Sequence, residues 1–222
     1  MVEAVLCDID GTLVQSNWLH AEAWQKAFAV ADIQLDIETI RRQVGKGGDE
    51  LIPVFVPWWR RRQLEEPLTS YRSFLFKQDY LEKVEAFPKT RELFHRMKKS
   101  GIKTALASSA HKDELETYKA IARISDLVDL SITADDVDRS KPNPDIFETA
   151  LRKLGARPSR VLALGDTPWD AEAAGRADVR TVGVTTGGWT EQELYDAGCI
   201  EVYKDISHLL ASFDTSAFTT LN

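Results

Sequence analysis

The 222-residue sequence contains few of the features that mark secreted or membrane-bound proteins. It has only two cysteines, Cys7 and Cys199, which are too few for a framework of disulfides and favour a reducing compartment. No apolar stretch reaches the roughly 20 residues that a membrane-spanning helix needs. No basic segment precedes the first apolar run, as it would in a signal peptide. The sequence therefore predicts a cytoplasmic protein that does not associate with a membrane.

Positive charge is also scarce in this chain. Lysine and arginine together number 28 against 35 acidic residues, so the formal net charge is -7. Broad binding to nucleic acid depends on an excess of cations that contact phosphates. We therefore expect no nucleic-acid partner. Composition leaves the oligomeric state undetermined.

What the sequence does contain is an alternation of short apolar runs with helix-like segments. The runs lie at residues 2–9, 102–109, 127–133, 160–166 and 179–184. Alternation at this spacing predicts an α/β fold, with a doubly wound, Rossmann-like parallel sheet covered by helices on both faces. Such sheets bind their ligands at the edge formed by the carboxyl ends of the strands.

Residues 15–85 interrupt this alternation, because they contain no strand pattern and are rich in helix formers and aromatic residues. We predict a small all-helical cap domain here, inserted after the first strand. The catalytic core would then comprise residues 1–14 and 86–222. Four tryptophans lie in the insert: Trp18, Trp24, Trp58 and Trp59. We interpret them as the hydrophobic core of the cap rather than as a platform for a ligand.

Two aspartates, Asp8 and Asp10, end the first apolar run. Side chains two apart on a strand point the same way, so both carboxylates could share one site. Like charges held that close need a cation or a shared proton. Further polar residues follow the later strands: Ser108, Ser109, Lys141, Asp166 and Asp170. Their positions predict one polar site at the carboxyl edge of the sheet.

In this order the residues resemble the motifs of the haloacid dehalogenase-like hydrolase superfamily, in its phosphatase and phosphomutase branch. The matching residues are Asp8-x-Asp10-Gly11-Thr12, Ser108, Lys141 and Gly165-Asp166 with Asp170. The resemblance covers nearly the whole chain, and the helical insert matches the cap of phosphoglycolate phosphatase-like and beta-phosphoglucomutase-like members. It implies a Mg²⁺-dependent hydrolase that acts on a small phosphorylated metabolite through an aspartyl-phosphate intermediate.

The resemblance assigns a role to each acid. Asp8 is the nucleophile, and Asp10 is the general acid and later the general base. Asp8 and Asp166 bind the metal together with Asp10, which contributes its backbone carbonyl. These oxygen ligands, without sulfur, suit Mg²⁺. Asp170 either binds the metal or positions Asp166.

Phosphate binding is assigned to Ser108, Ser109 and Lys141 in the same way. For Ser108 a second interpretation stays open, since a serine at this point could instead cap the helix that follows. Two residues of the insert, His20 and Lys46, are candidate cap or substrate contacts. Lys77 is a further candidate for a cap lysine.

Three functions are compatible with these motifs. The segment around His20 resembles the beta-phosphoglucomutases, but the loop at residues 45–51, GKGGDEL, has Gly48-Asp49 where a mutase arginine would lie. A hydrolase is therefore favoured, with a phosphosugar mutase as the alternative. Lys46 or the cluster Arg60-Arg61-Arg62 could take the place of the mutase arginine. A catalytically silent binding module is less favoured, because Asp8, Asp10 and Asp166 are all intact.

Overall fold

The computed structural model describes residues 1–220 and contains a six-stranded sheet. The strands are β1 (Ala4–Cys7), β2 (Lys103–Ala107), β3 (Leu130–Ile132), β4 (Val161–Gly165), β5 (Arg180–Val184) and β6 (Cys199–Tyr203). All neighbouring strands are parallel, in the order β3-β2-β1-β4-β5-β6. This order is that of a doubly wound sheet and confirms the predicted fold class.

Eleven α-helices occur in the described part of the chain. They are α1 (Asn17–Val30), α2 (Ile37–Arg41), α3 (Gly48–Phe55), α4 (Trp58–Leu75), α5 (Thr90–Lys99), α6 (Lys112–Ile121), α7 (Asp145–Leu154), α8 (Pro168–Arg176), α9 (Glu191–Asp196), α10 (Ile206–Ala211) and α11 (Ala217–Thr220). A π-helical turn, Phe76–Tyr80, continues α4. None of the helices within residues 1–220 combines the length and apolar composition that a membrane crossing requires.

The central strand β1 is buried on both of its faces. Val5 and Cys7 belong to one hydrophobic cluster, whereas Ala4 and Leu6 belong to a second cluster on the opposite face. This alternation follows from the pleat of a strand, which directs successive side chains to opposite sides. A strand covered on both faces must be apolar throughout, which explains the run AVLC.

Strand register decides which residues meet at the edge of the sheet. Cys7, the last residue of β1, lies opposite Leu106 of β2 and Leu164 of β4. The chain leaves β1 toward β2 on one side and returns to β4 on the other, so this point is the topological switch of the sheet. Crevices at such switch points are where open α/β sheets bind ligands.

Helices α1–α4 lie between β1 and α5 and share a hydrophobic cluster of their own. Trp24 belongs to this cluster and is buried. The other three tryptophans of the insert do not fit our interpretation, since Trp18, Trp58 and Trp59 are 52%, 75% and 64% exposed. An aromatic residue contributes to a core only if its helix face turns inward, and the faces of these three turn outward.

The sequence predicts five strands, and β6 was missed. Glu201 and the exposed Ile200 lie in it, so its apolar pattern is weak. β6 is an edge strand that pairs only with β5, and edge strands need not be apolar on both faces. Cys199 opens this strand, and its thiol and that of Cys7 are both buried and free.

Candidate active site

The first polar residue after each of three neighbouring strands lies at the same edge of the sheet. Asp8 follows β1, Ser108 follows β2 and Asp166 follows β4. The backbone N–H of Asp8 still donates to Leu164 O, at 2.8 Å, so the register continues one residue beyond the strand. The edge predicted from the sequence therefore exists, and it brings these side chains together.

Lys141 links two of the carboxylates. Its Nζ donates to Asp8 Oδ1 at 2.5 Å and to Asp170 Oδ1 at 2.7 Å. The Lys141 side chain is fully buried. Burial lowers the pKa of a lysine, but the charges of Asp170 and Asp8 outweigh this, and the pKa of Lys141 is raised. The ammonium is therefore a fixed positive charge beside Asp8.

Asp170 is held in place by the start of helix α8. Its Oδ2 accepts from Thr167 Oγ1 at 2.6 Å and from the Thr167 backbone N–H at 3.1 Å, in a capping box. This leaves Oδ1 free to accept from Lys141. One carboxylate thus stabilises the helix and orients the lysine.

Asp166 is fixed by residues that follow β1. Thr12 Oγ1 donates to Asp166 Oδ1 at 2.7 Å, and Asn17 Nδ2 donates to Oδ2 at 2.8 Å. Gly11 lies between them with φ +79°, and a Cβ at this position would collide with Asn17 and Asp166. Only glycine satisfies both the conformation and the close approach.

The acids of this edge fit a hard metal ion. One oxygen from each of Asp8, Asp166 and Asp170 lies within 4.8 Å of the others, and all three residues are buried. Burial raises the pKa of Asp8 well above its usual range and that of Asp166 to about 8, with repulsion from Asp170 adding to both. Asn17 Oδ1 is also buried and has no partner within residues 1–220. A divalent cation would favour the ionised carboxylates, so the donor set fits Mg²⁺.

Asp10 lies beside this cluster, and its side chain has other partners. Its Oδ1 accepts from Ser16 Oγ at 2.5 Å and lies 2.9 Å from His20 Nε2. Burial raises the pKa of Asp10, but the charge and hydrogen bond of His20 and the hydrogen bond of Ser16 outweigh it, and the pKa is lowered. The resemblance assigns only the backbone carbonyl of Asp10 to the metal, and that assignment stays a prediction.

The sheet edge faces an inner cavity, which we define as the space between Asp8 and Asp10, the cap residues Trp24 and Arg72, and Glu114 of α6. Its volume is about 30 Å³. An outer groove of about 540 Å³ shares Trp24, Arg72 and Glu114 with it. Both acids that the sequence assigned to chemistry therefore line an enclosed space beneath the helical insert.

His20 and Lys46, the two candidate residues of the insert, both line the inner cavity. His20 is buried and stacks on Phe76, with ring centroids 3.9 Å apart. Lys46 Nζ donates to Gln43 Oε1 at 2.8 Å and lies 3.8 Å from the centre of the Trp169 ring. Burial lowers the pKa of Lys46.

The two serines after β2 have different surroundings. Ser108 is fully buried, and its Oγ accepts from the backbone N–H of Ala110 at 3.1 Å. It does not cap the next helix, because α6 begins at Lys112 after His111. Ser109 lines the inner cavity and donates to the carbonyl of Gly45 at 3.2 Å, which joins the sheet edge to the insert.

Two residues that the sequence analysis singled out in the insert lie outside the inner cavity. Lys77, the candidate cap lysine, pairs with Asp113 at the surface, at 2.6 Å. Asp49 of the GKGGDEL loop is the other. Its Oδ2 instead accepts from the backbone N–H of Ser140 at 2.9 Å, so that it fastens the loop to the core next to Lys141.

Sequence reasoning also missed site residues. Arg72 and Glu114 line the inner cavity, and Tyr118 donates to Glu114 Oε1 at 2.7 Å and lies 3.1 Å from His20 Nε2. All three lie on helices rather than after strands. The sequence offered one indication, the spacing of four residues that places Tyr118 and Glu114 on the same face of a helix.

Comparison with known proteins agrees with this geometry. A model of the haloacid dehalogenase-like hydrolase family matches residues 2–178. The chain belongs to this family. It is 28% identical over 186 residues to validoxylamine A 7'-phosphate phosphatase of Streptomyces hygroscopicus subsp. limoneus, covering 84% of this chain and 87% of the relative. It is 27% identical to the pyrophosphatase PpaX of Bacillus cereus, covering 91% of this chain and 89% of the relative.

A solved structure of a hydrolase from Pseudomonas syringae superposes with a TM-score of 0.88 at 28% identity, covering 97% of this chain and 99% of that chain. The family and the relatives named as phosphatases assign this member of the family to the phosphatases. The enzyme class expected from the sequence is confirmed.

Proposed function

We propose that the protein is a Mg²⁺-dependent phosphatase that hydrolyses the monoester of a small phosphorylated metabolite through an aspartyl-phosphate on Asp8. The observation that carries the proposal is the placement of Asp8, which lies between the Lys141 ammonium and the carboxylate of Asp166 at the floor of an enclosed cavity. A carboxylate in this position can approach a phosphate only where positive charge surrounds it.

In the first step, an oxygen of Asp8 bonds to phosphorus and the bond from phosphorus to the ester oxygen breaks. The departing oxygen takes a proton from Asp10, which lines the same cavity. The pKa of Asp10 is lowered, so its role as an acid needs a nearby proton donor. His20 lies 2.9 Å from it and can supply that proton.

In the second step, Asp10 removes a proton from water, and the water oxygen bonds to phosphorus as the bond to Asp8 breaks. The lowered pKa of Asp10 favours this role as a base. Lys141, with the hydroxyls of Ser108 and Ser109, would balance charge on the transferring phosphate oxygens.

Asp8, Asp166 and the backbone carbonyl of Asp10 would hold Mg²⁺, with Asp170 as a direct ligand or as the residue that positions Lys141. When bound, the ion supplies positive charge that reduces repulsion between the phosphate and the incoming carboxylate. A buried set of oxygen donors supports this choice of metal.

We assign residues 15–85 to a cap domain that selects the substrate, and residues 1–14 and 86–222 to the catalytic core. The relatives do not agree on a substrate, since one is named for an organic phosphate ester and another for pyrophosphate. What supports a small metabolite is the outer groove of about 540 Å³, which shares Trp24, Arg72 and Glu114 with the inner cavity. A cytoplasmic location remains a prediction.

A phosphosugar mutase is the second candidate, and the observation that favours it is a cap arginine, Arg72, in the cavity. A mutase needs such a cation to hold a second phosphate. Against it, Arg72 Nη1 lies 3.9 Å from a carboxylate oxygen of Glu114, so part of its charge is balanced. The intact set of Asp8, Asp10 and Asp166 disfavours a silent binding module.

The proposal is tested by phosphate release from p-nitrophenyl phosphate with Mg²⁺ and after chelation by EDTA. We expect release that EDTA abolishes and that added Mg²⁺ restores. Activity that survives complete chelation would contradict the metal assignment. To separate the two candidates, beta-glucose 1-phosphate is incubated with a trace of the 1,6-bisphosphate; glucose 6-phosphate formed with little free phosphate would establish the mutase.

A further inference from the structure

The cap side of the inner cavity contains a carboxylate whose hydrogen bonding is incomplete. The side chain of Glu114 is only 1% exposed. Its Oε1 accepts from Tyr118 at 2.7 Å, whereas Oε2 accepts no hydrogen bond from any residue in 1–220. Glu114 lines both the inner cavity and the outer groove, so a ligand there that donates a hydrogen bond can pair with Oε2.

Arg72 complements this carboxylate. It is the cationic neighbour of Oε2, but at 3.9 Å the pair is too long for a hydrogen bond. Arg72 Nε is buried and has no partner among the described residues. The guanidinium packs over Trp24, 5.3 Å from the ring centre, and is therefore fixed by the cap. The hydrogen-bond donors of Arg72 and the acceptor Oε2 of Glu114 thus line the same cavity without bonding to each other.

Glu114 also lies on the leaving-group side of the site. His20 Nε2 is 2.9 Å from Asp10 Oδ1 and 3.7 Å from Glu114 Oε1, so both carboxylates lie beside the same imidazole nitrogen. Asp10 is the residue that protonates the departing oxygen in the proposed mechanism. Groups beside it contact the leaving group and not the transferring phosphate.

We propose that Glu114 and Arg72 form a specificity pair that selects a polyhydroxylated leaving group, such as a sugar or a sugar-like ring, that bears no second anionic group. This inference rests on the proposed function and names its substrate class. A hydroxyl both donates and accepts, so neighbouring hydroxyls satisfy Glu114 Oε2 and Arg72 together. Trp24 supplies an apolar wall against the carbon face of such a ring.

A second phosphate or a carboxylate is selected against at the same place. Arg72 would attract this second anion, but the carboxylate of Glu114 would repel it. Because the two charges of the pair sum to zero, the pair offers no net attraction to an anion. Sites that discriminate often combine an attractive group with a repulsive one. A site built to hydrogen-bond a hydroxyl also discriminates strongly against analogues that lack it.

The test compares kcat/KM for hexose and pentose monophosphates, phosphoglycolate and p-nitrophenyl phosphate in the wild type and in Glu114→Gln. The matched control is Glu116→Gln, because Glu116 lies two residues further along α6, is 53% exposed and pairs with Lys119. We expect the best sugar monophosphate to exceed phosphoglycolate by about tenfold or more in the wild type. Glu114→Gln should lower kcat/KM for the sugar monophosphate by roughly 10- to 100-fold, as the loss of a charge-assisted hydrogen bond does.

The same variant should raise kcat/KM for phosphoglycolate, because the repulsion is gone, whereas Glu116→Gln should leave kcat/KM for every substrate within about threefold of the wild type. If Glu114 had a purely structural role, the substitution would lower kcat/KM for the sugar monophosphates, phosphoglycolate and p-nitrophenyl phosphate together. That result would overturn the proposal. The proposal would also be overturned if the substrate with the highest kcat/KM for the wild type carried a second anionic group. If Glu114→Gln does not fold, Arg72→Gln replaces it in the test. Arg72→Gln should lower kcat/KM for phosphoglycolate more than kcat/KM for the sugar monophosphate. A larger loss for the sugar monophosphate would refute the proposed pair. Failure of the wild type to cleave p-nitrophenyl phosphate would instead refute the proposed function.

Discussion

The two sides of the inner cavity differ in how completely their polar atoms are paired. On the sheet side, both oxygens of Asp166 and of Asp170 accept hydrogen bonds from protein groups, and Asp8 Oδ1 accepts from Lys141. On the side of the insert, Arg72 Nε has no hydrogen-bond partner within residues 1–220, and Arg72 lies 3.9 Å from Glu114 Oε2 of α6, beyond hydrogen-bond distance. In the mechanism that we propose, the acids of the sheet edge are organised before substrate binds, whereas Arg72 and Glu114 are completed by the substrate.

Preorganised charge is the usual source of rate enhancement, because the protein need not rearrange as the reaction proceeds. Incomplete pairing suits recognition, because the substrate then supplies hydrogen bonds that water or a wrong ligand would supply less well. Substitutions on the sheet side should therefore affect every substrate. Substitutions on the cap side should affect substrates selectively.

The largest effect is expected for Asp8→Asn. An amide cannot form the covalent bond to phosphorus, so kcat should fall by a factor on the order of 10⁴ or more for all substrates alike. The measurement is steady-state release of phosphate from p-nitrophenyl phosphate and from a sugar phosphate. A variant that retained a tenth of the activity on either substrate would remove Asp8 from the role of nucleophile.

Asp10→Asn should have a smaller effect that depends on the leaving group. Sugar alkoxides need protonation, so their turnover should fall by roughly 10²- to 10⁴-fold, while p-nitrophenolate, which needs little, should show a smaller loss in its first step. Single-turnover kinetics separates formation of the intermediate from its hydrolysis. Equal losses of the first step for both leaving groups would show that Asp10 is not the acid.

Mg²⁺ should stabilise the folded protein by about 2–3 kcal/mol at a concentration near 100 times its Kd, because the unfolded chain does not assemble the acids. Asp166→Asn removes one member of the cluster and should abolish most of that gain. Thermal denaturation with Mg²⁺ and with EDTA measures both, without reference to turnover. An equal shift of Tm in the variant would place the ion elsewhere.

The smallest effect concerns an exposed contact between α9 and the insert, the ion pair of Glu193 with Arg42. Hydrogen bonds from Thr190 and from Arg42 lower the pKa of Glu193 to about 2. A lowered pKa stabilises the folded state above the ordinary value near 4.5, and this stabilisation is lost as the pH falls toward 2. Because the pair is exposed and screened, we expect Glu193→Gln to cost only about 0.5 kcal/mol at neutral pH.

Urea denaturation of Glu193→Gln and the wild type, followed from pH 7 downward, checks this small term. The difference in unfolding free energy should shrink below pH 4.5 and should also shrink at high salt. A difference that is constant with pH would show that the charge of Glu193 is not what matters.

The same contrast explains what the sequence could predict. Asp8, Ser108 and Asp166 could be placed together because each follows a strand, and parallel strands end at one edge. Glu114 could not be placed, because it lies in the segment KDELE, which is typical of a solvated helix start. Its burial arises only where α6 meets the insert, and no local pattern encodes that meeting.

Lys77 and Arg72 show the limit within one helix. α4 continues into the π-helical turn Phe76–Tyr80, whose wider winding shifts the phase of the side chains that follow. Lys77 therefore reaches Asp113 at the surface, while Arg72 lines the cavity. The two residues are five apart, about 140° around an α-helix, so a period of 3.6 residues separates them but does not show which of the two faces the cavity.

The central claim is that phosphate is transferred to Asp8. The most direct measurement uses Asp10→Asn, in which hydrolysis of the intermediate should be slow, with rapid acid quenching during turnover of p-nitrophenyl phosphate and mass spectrometry of the peptides. We predict one phosphoryl group on the peptide that contains Asp8, and none on that peptide in Asp8→Asn. Release of p-nitrophenolate with no phosphoryl group on Asp8, or with the label on another residue, would contradict the proposed mechanism.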